Sequence, residues 1–155
     1  MGVHRLIREQ QIPAPPEEVW RYFSRADNLQ AITPEYMNFR VTSGDLPEEI
    51  YPGMIITYKV SPVLGIPLFW MTEITHVVPG TLFVDEQRRG PFSMWHHEHH
   101  FEARDGGTFM RDIVHYQTPL GPLGEIARML FVKKQVEGIF SYRLGVIEKI
   151  FPSRR

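Results

Sequence analysis

The chain has 155 residues, 43% hydrophobic and 23% charged, and contains no cysteine. This length and balance fit one domain, residues 1–155, large enough to bury a core of its own, and exclude disorder, disulfides, thiolate nucleophiles and cysteine-based zinc sites. Lys and Arg number 17 against 18 Asp and Glu, a net charge of -1, so no basic excess points to nucleic acid or an anionic membrane.

No apolar run approaches the roughly 18 residues of a membrane span, and no leader peptide is read. The expected location is therefore the cytoplasm, which the missing cysteines also fit. Val3 to Ile12 alternates apolar and polar side chains and reads as a strand that ends at Pro13. Pro13-Ala14-Pro15-Pro16-Glu17-Glu18 then places prolines and acids where a first helical turn accepts both, with Val19, Trp20 and Phe23 at helical spacing. Ser24 to Ile32 reads as a second short helix, closed by Thr33-Pro34 because the residue before proline disfavours the helical region.

From Phe39 the pattern changes to short strands separated by turn signals, the mark of an antiparallel meander. Six are expected: Phe39 to Ser43, Met54 to Val60, Leu68 to Val77, Leu82 to Arg89, Ser93 to Ala103 and Thr108 to Thr118. Asp105-Gly106-Gly107 is a hairpin signal. Beyond Pro119-Leu120-Gly121-Pro122 the chain reads as helix to about Phe151, with Val136, Phe140, Leu144, Ile147 and Phe151 on one stripe. An earlier stripe of Leu123, Ile126 and Leu130 drifts in register, and Lys133-Lys134 marks solvent.

The stretch from Gly90 to Glu102 holds four of the seven histidines. Strand alternation puts Trp95, His97, His99 and Phe101 on one face and Met94, His96, Glu98, His100 and Glu102 on the other. The aromatic face is the expected inward one, since the opposite register would bury Glu98 and Glu102. On the next strand Met110, Asp112, Val114 and Tyr116 share a face, which sets Asp112 near His97 or His99. On the preceding strand Phe83, Asp85 and Gln87 alternate with Val84, Glu86 and Arg88, and Trp70, Thr72 and Ile74 complete the set.

The order strand, two short helices, six-stranded meander and long helix resembles the START-like, Bet v 1-like superfamily, also called polyketide cyclase/dehydrase and lipid transport or SRPBCC. The local carriers are Ile12 to Trp20, Ile32-Thr33-Pro34 and the segment from Gly90-Pro91-Phe92 to Phe101. They look like a bacterial branch labelled ligand-binding or cyclase/dehydrase-like. The resemblance implies an α+β helix-grip fold: a seven-stranded curved antiparallel sheet wrapped around a long C-terminal helix, with two short helices between strands 1 and 2. It also implies an internal cavity.

In a meander, every second turn lies at the same end of the sheet. The turns Pro62 to Pro67, Gly90 to Phe92 and Pro119 to Gly124 are therefore expected together, beside the two short helices. Val63, Leu64, Ile66, Phe92, Leu120 and Leu123 make that end apolar and the expected mouth.

Expected ligand-binding residues are Trp70, Thr72, Phe83, Asp85, Gln87, Trp95, His97, His99, Phe101, Met110, Asp112 and Tyr116. The expected ligand is a hydrophobic small molecule such as a lipid, isoprenoid or polyketide-like compound, with neither cofactor nor nucleic acid involved. Two alternatives stand beside it: a cyclase/dehydrase-type enzyme using His97, His99 and Asp112 for proton transfer, and a module docking a protein through its apolar loops. A purely structural polar network is the plainer reading of the same histidines and aspartates. His-x-His on a strand also occurs at zinc sites, but only Asp112 or Asp85 could complete a ligand set here, and no metal is expected. His96, Glu98 and His100 are assigned to the solvated face. No sequence feature sets an oligomeric state.

Overall fold

The computed structural model describes residues 2–153. Seven strands, β1 (His4–Ile12), β2 (Arg40–Val41), β3 (Ile55–Val60), β4 (Leu68–Val78), β5 (Leu82–Arg89), β6 (Met94–Arg104) and β7 (Gly107–Gln117), form one sheet in the order β1-β7-β6-β5-β4-β3-β2. Every pairing is antiparallel. Two short helices, α1 (Pro16–Phe23) and α2 (Asn28–Ala31), and a 3-10 turn (Glu35–Met37) connect β1 to β2. After β7 come α3 (Gly121–Ala127), a π turn (Arg128–Val132) and α4 (Lys133–Ile150). This is the helix-grip α+β architecture, and β1 and β3 to β7 begin and end within one residue of their expected limits.

Three elements differ from expectation. The second short helix occupies only Asn28–Ala31. Asn28 spends its side-chain amide on the Tyr22 carbonyl at 2.8 Å, and Thr33 its hydroxyl on the Leu29 carbonyl at 2.7 Å, so local side-chain bonds compete with helix extension. β2 is two residues long because beyond Val41 the contact with Thr57 passes to one backbone bond and the hydroxyls of Thr42 and Ser43. The C-terminal helix is interrupted by the π turn, and the drifting stripe that precedes α4 stays exposed at Leu123, Ile126 and Leu130. No helix of the described residues is long and apolar enough to cross a membrane.

The three alternate turns do share one end of the sheet, but α1 does not start there. Ile12 pairs with Thr108 beside the 104–107 hairpin, and the Thr108 hydroxyl donates to the Ala14 carbonyl at 2.8 Å. The connection then crosses the open side of the sheet and arrives at the far end, where Ser61 N–H donates to the Met37 carbonyl at 2.6 Å. α1 and α2 thus roof the inner face rather than rim one end.

The core under this roof falls into two clusters. One gathers Trp20, Phe23, Ile56, Tyr58, Ile74, Phe83, Phe101 and Ile147, and the other Leu6, Val114, Tyr116, Val136 and Phe140. α4 contributes to both with successive turns of its buried stripe. Polar side chains of β5, β6 and β7 bridge them.

Candidate functional site

β6 carries that bridge because its alternation places His97 and His99 inward, 4% and 5% exposed, while His96 and His100 face the other way. The outer pair is engaged with carboxylates: His96 Nδ1 lies 2.7 Å from Glu86 Oε1, and His100 Nε2 lies 2.8 Å from Glu98 Oε2. The register opposes His99 to Asp112 on β7 and His97 to Asp85 on β5. Two imidazoles, with ring centroids 3.7 Å apart, are therefore held between two carboxylates.

The bonds cross within this square. His97 Nε2 donates to Asp112 Oδ1 at 2.8 Å, and His99 Nε2 donates to Asp85 Oδ2 at 2.7 Å. His97 Nδ1 lies 3.5 Å from Asp85 Oδ2. His99 Nδ1 lies 3.1 Å from Asp112 Oδ1, an ion-pair contact without hydrogen-bond geometry. His99 also stacks on Phe83 with centroids 4.0 Å apart, which favours a cationic ring.

Burial and the adjacent His99 charge hold His97 below its ordinary pKa, with Asp85 and Asp112 only partly offsetting them. His99 goes the other way: burial opposes its charge, but its close contact with Asp112 and its hydrogen bond to Asp85 outweigh it and raise its pKa. Burial would raise Asp112, yet the hydrogen bond from His97 and the close contact with His99 hold it far below the carboxylate range. Burial would raise Asp85 too, and attraction to His97 with the hydrogen bond from His99 lowers it instead. The favoured charge state is two carboxylates, one imidazolium on His99 and a neutral His97.

A cavity of about 150 Å³ opens beside this cluster, with a lining that is mostly apolar. Of the residues expected to bind ligand, Trp70, Thr72, Phe83, Asp85, Trp95, His97 and His99 line it. The other five do not. Asp112 sits behind the histidines as their partner, Phe101 packs against Trp20 and Phe23, and Met110 is buried in the same core cluster. Tyr116 belongs to the second cluster. Gln87 fastens a loop: its Nε2 donates to the Phe92 carbonyl at 2.6 Å and its Oε1 accepts from Phe92 N–H at 3.2 Å.

The expected mouth also moves. None of Val63, Leu64, Ile66, Phe92, Leu120 and Leu123 lines the cavity, whereas Arg25, Ala26, Asn28 and Leu29 do. The exposed member of that group is Arg25, so the cavity reaches the surface at the α1–α2 junction, opposite Ile139 and Arg143 of α4. The turn of Gly90 to Phe92 serves instead as a plug, with Phe92 against Trp70, Trp95 and Tyr116.

Arg143 and Tyr22 are lining residues that the sequence reading missed. Arg143 is 6% exposed. The signal was present in the helical spacing, because position 143 falls between Phe140 and Ile147 on the buried stripe of α4, where a charge is exceptional. As for cations, Asp85, His97 and His99 offer ligand atoms all within 4.8 Å of one another. Each histidine commits its Nε2 to a carboxylate, so a metal ion here would take the Nδ1 atoms, and His99 would first have to lose its proton.

Comparison with solved structures shows the same fold elsewhere. TTHA0849 from Thermus thermophilus has a TM-score of 0.71 at 20% identity, with 94% of this chain and 95% of that chain covered. The ZhuI aromatase/cyclase from a Streptomyces species has a TM-score of 0.73 at 14% identity, covering 94% and 92%. Ara h 8.0201 has a TM-score of 0.60 at 19% identity, covering 96% and 99%. At such identities the likeness carries the fold alone. Among curated proteins none matches the sequence. The family model described as polyketide cyclase / dehydrase and lipid transport matches residues 12–142, and the chain belongs to this START-like, Bet v 1-like family of hydrophobic ligand-binding domains.

Proposed function

We propose that the protein binds an apolar small molecule in the cavity between the sheet, α1–α2 and α4, and holds it without necessarily transforming it. The observation that carries this reading is the lining itself. Ile56, Val60, Ile74, Phe83, Trp70 and Trp95 present apolar and aromatic surface, and polar groups converge on one wall. About 150 Å³ is on the order of the space that accepts a single aromatic ring. A single-ring or short-chain compound suits it directly, whereas a polyketide-like compound, an isoprenoid or lipid chain, or a dye of several rings requires α2 and α4 to part.

Titration with the neutral dye N-phenyl-1-naphthylamine tests this reading. The wild type is expected to bind one dye per chain, with release by isoprenols. Ile56→Phe, which fills the cavity, should weaken binding at least tenfold, and Leu64→Asp, on a side chain 93% exposed, should leave it unchanged. Unaltered binding in Ile56→Phe, or loss in Leu64→Asp, places the dye on the surface and contradicts the cavity reading.

A second reading rests on His97, a neutral imidazole on the cavity wall positioned by Asp112. That pair has the form of a general base with its orienting carboxylate, and one neighbour in fold is named an aromatase/cyclase. Assay of cyclisation of a poly-β-ketone analogue by the wild type and His97→Ala checks it. Equal rates in the two proteins would remove His97 from any chemistry.

A further inference from the structure

Among the buried polar atoms, Arg143 Nε and Nη1 and Tyr22 Oη have no hydrogen-bond partner among the described residues. Both side chains line the cavity, one from α4 and the other from α1. A guanidinium cannot shed its charge by losing a proton under ordinary conditions, so a buried one needs an acceptor. The Phe140 ring, 4.7 Å from Arg143 Cζ, supplies a π face but no lone pair. Asp112 and Asp85 attract the guanidinium from a distance. Their nearest contacts, however, are with His97 and His99, at 2.7 to 3.5 Å. The Tyr22 phenol is held protonated by burial and is thus a second free donor.

We propose that Arg143 and Tyr22 form an oxyanion site, and that the cavity's ligand is an amphipathic acid whose carboxylate accepts hydrogen bonds from both. This rests on the reading of the cavity as a ligand site and names the ligand's chemical class. A carboxylate supplies lone pairs for the unspent donors and a charge opposite to the guanidinium, which a hydroxyl does not. The hydrocarbon part then lies on Ile56, Ile74 and Trp70, across the cavity from α4. Anchoring one end of the ligand on α1 and α4 also explains why the two unspent donors lie on the two elements that flank the opening.

The test compares decanoate with decan-1-ol, two probes that share a hydrocarbon chain and differ in the terminal group, by displacement of N-phenyl-1-naphthylamine. The wild type is expected to bind decanoate at least tenfold more tightly than decan-1-ol. Arg143→Met should abolish that preference and keep the affinity for decan-1-ol, Arg143→Lys should retain part of it, and Tyr22→Phe should reduce it severalfold. If the wild type binds both probes equally, or if the preference survives in Arg143→Met, the oxyanion site is wrong while the cavity stands. If neither probe displaces the dye from the wild type, the oxyanion site is wrong, and the dye titrations of Ile56→Phe and Leu64→Asp decide the cavity separately. Should Arg143→Met not fold, the wild-type ratio and the Tyr22→Phe variant still decide.

Discussion

The rings of His97 and His99 lie tilted by 33° with centroids 3.7 Å apart, yet their protonation is pushed in opposite directions between the same two carboxylates. The lowered His97 takes up a proton less readily folded than unfolded, so its contribution to stability is lost as pH falls below the ordinary histidine value of 6.5. The raised His99 contributes stability fully below 6.5, and that contribution is lost as pH rises through its folded value. Urea unfolding across pH is therefore expected to give a maximum near neutrality. His97→Asn should flatten the limb below pH 6.5, and His99→Asn the limb above it. A profile in which either variant flattens the other's limb would reverse the assignment.

Asp112 accepts from His97 and lies in ion-pair contact with His99. Replacement by Asn keeps the shape but leaves two buried imidazoles facing an amide, and breaking such a buried network by one partner costs about 3 kcal/mol or more. The expected result is that loss in urea unfolding, together with a fall in the His99 pKa read from imidazole NMR shifts. An unchanged His99 titration would show that Asp85 alone holds its proton.

Gln87 holds the Gly90 to Phe92 turn by two hydrogen bonds and does not touch the cavity. Gln87→Ala should lower stability by about 1 to 2 kcal/mol, measured by thermal unfolding, with less than a twofold change in dye affinity. A larger loss of affinity would mean that the Phe92 plug controls access.

Gly124 lies in α3, where the chain turns sharply out of β7. A Cβ at this position would collide with the Pro119 carbonyl oxygen, a backbone atom that cannot swing aside. Gly124→Ala is expected to cost roughly 1 to 3 kcal/mol, read as a lower Tm, whereas Gly138→Ala, with open space around it, should be neutral or stabilising on an α4 position.

The strands were legible because period-two alternation and turn residues act locally, and the inward set His97, His99 and Asp112 followed from the same alternation. Depth was not legible. Asp112 and Asp85 both face inward, yet one backs the histidines and the other lines the cavity, a distinction set by curvature and by where α4 lies. The path of α1 and α2 across the sheet depends on long-range contacts such as Ser61 with Met37, which no local pattern encodes, and the mouth was misplaced for that reason. Arg143 was the reverse case: its helical position pointed inward, and its charge discouraged reading it so.

Methyl NMR shift mapping during ligand titration tests the cavity most directly. On addition of N-phenyl-1-naphthylamine or decan-1-ol, Ile32, Ile56, Val60 and Ile74 methyl signals and the Trp70 and Trp95 indole signals should move together, while Leu64, Ile66, Leu123 and Ile126 remain still. Shifts confined to those four exposed side chains, with the interior methyls unmoved, would contradict an internal ligand site.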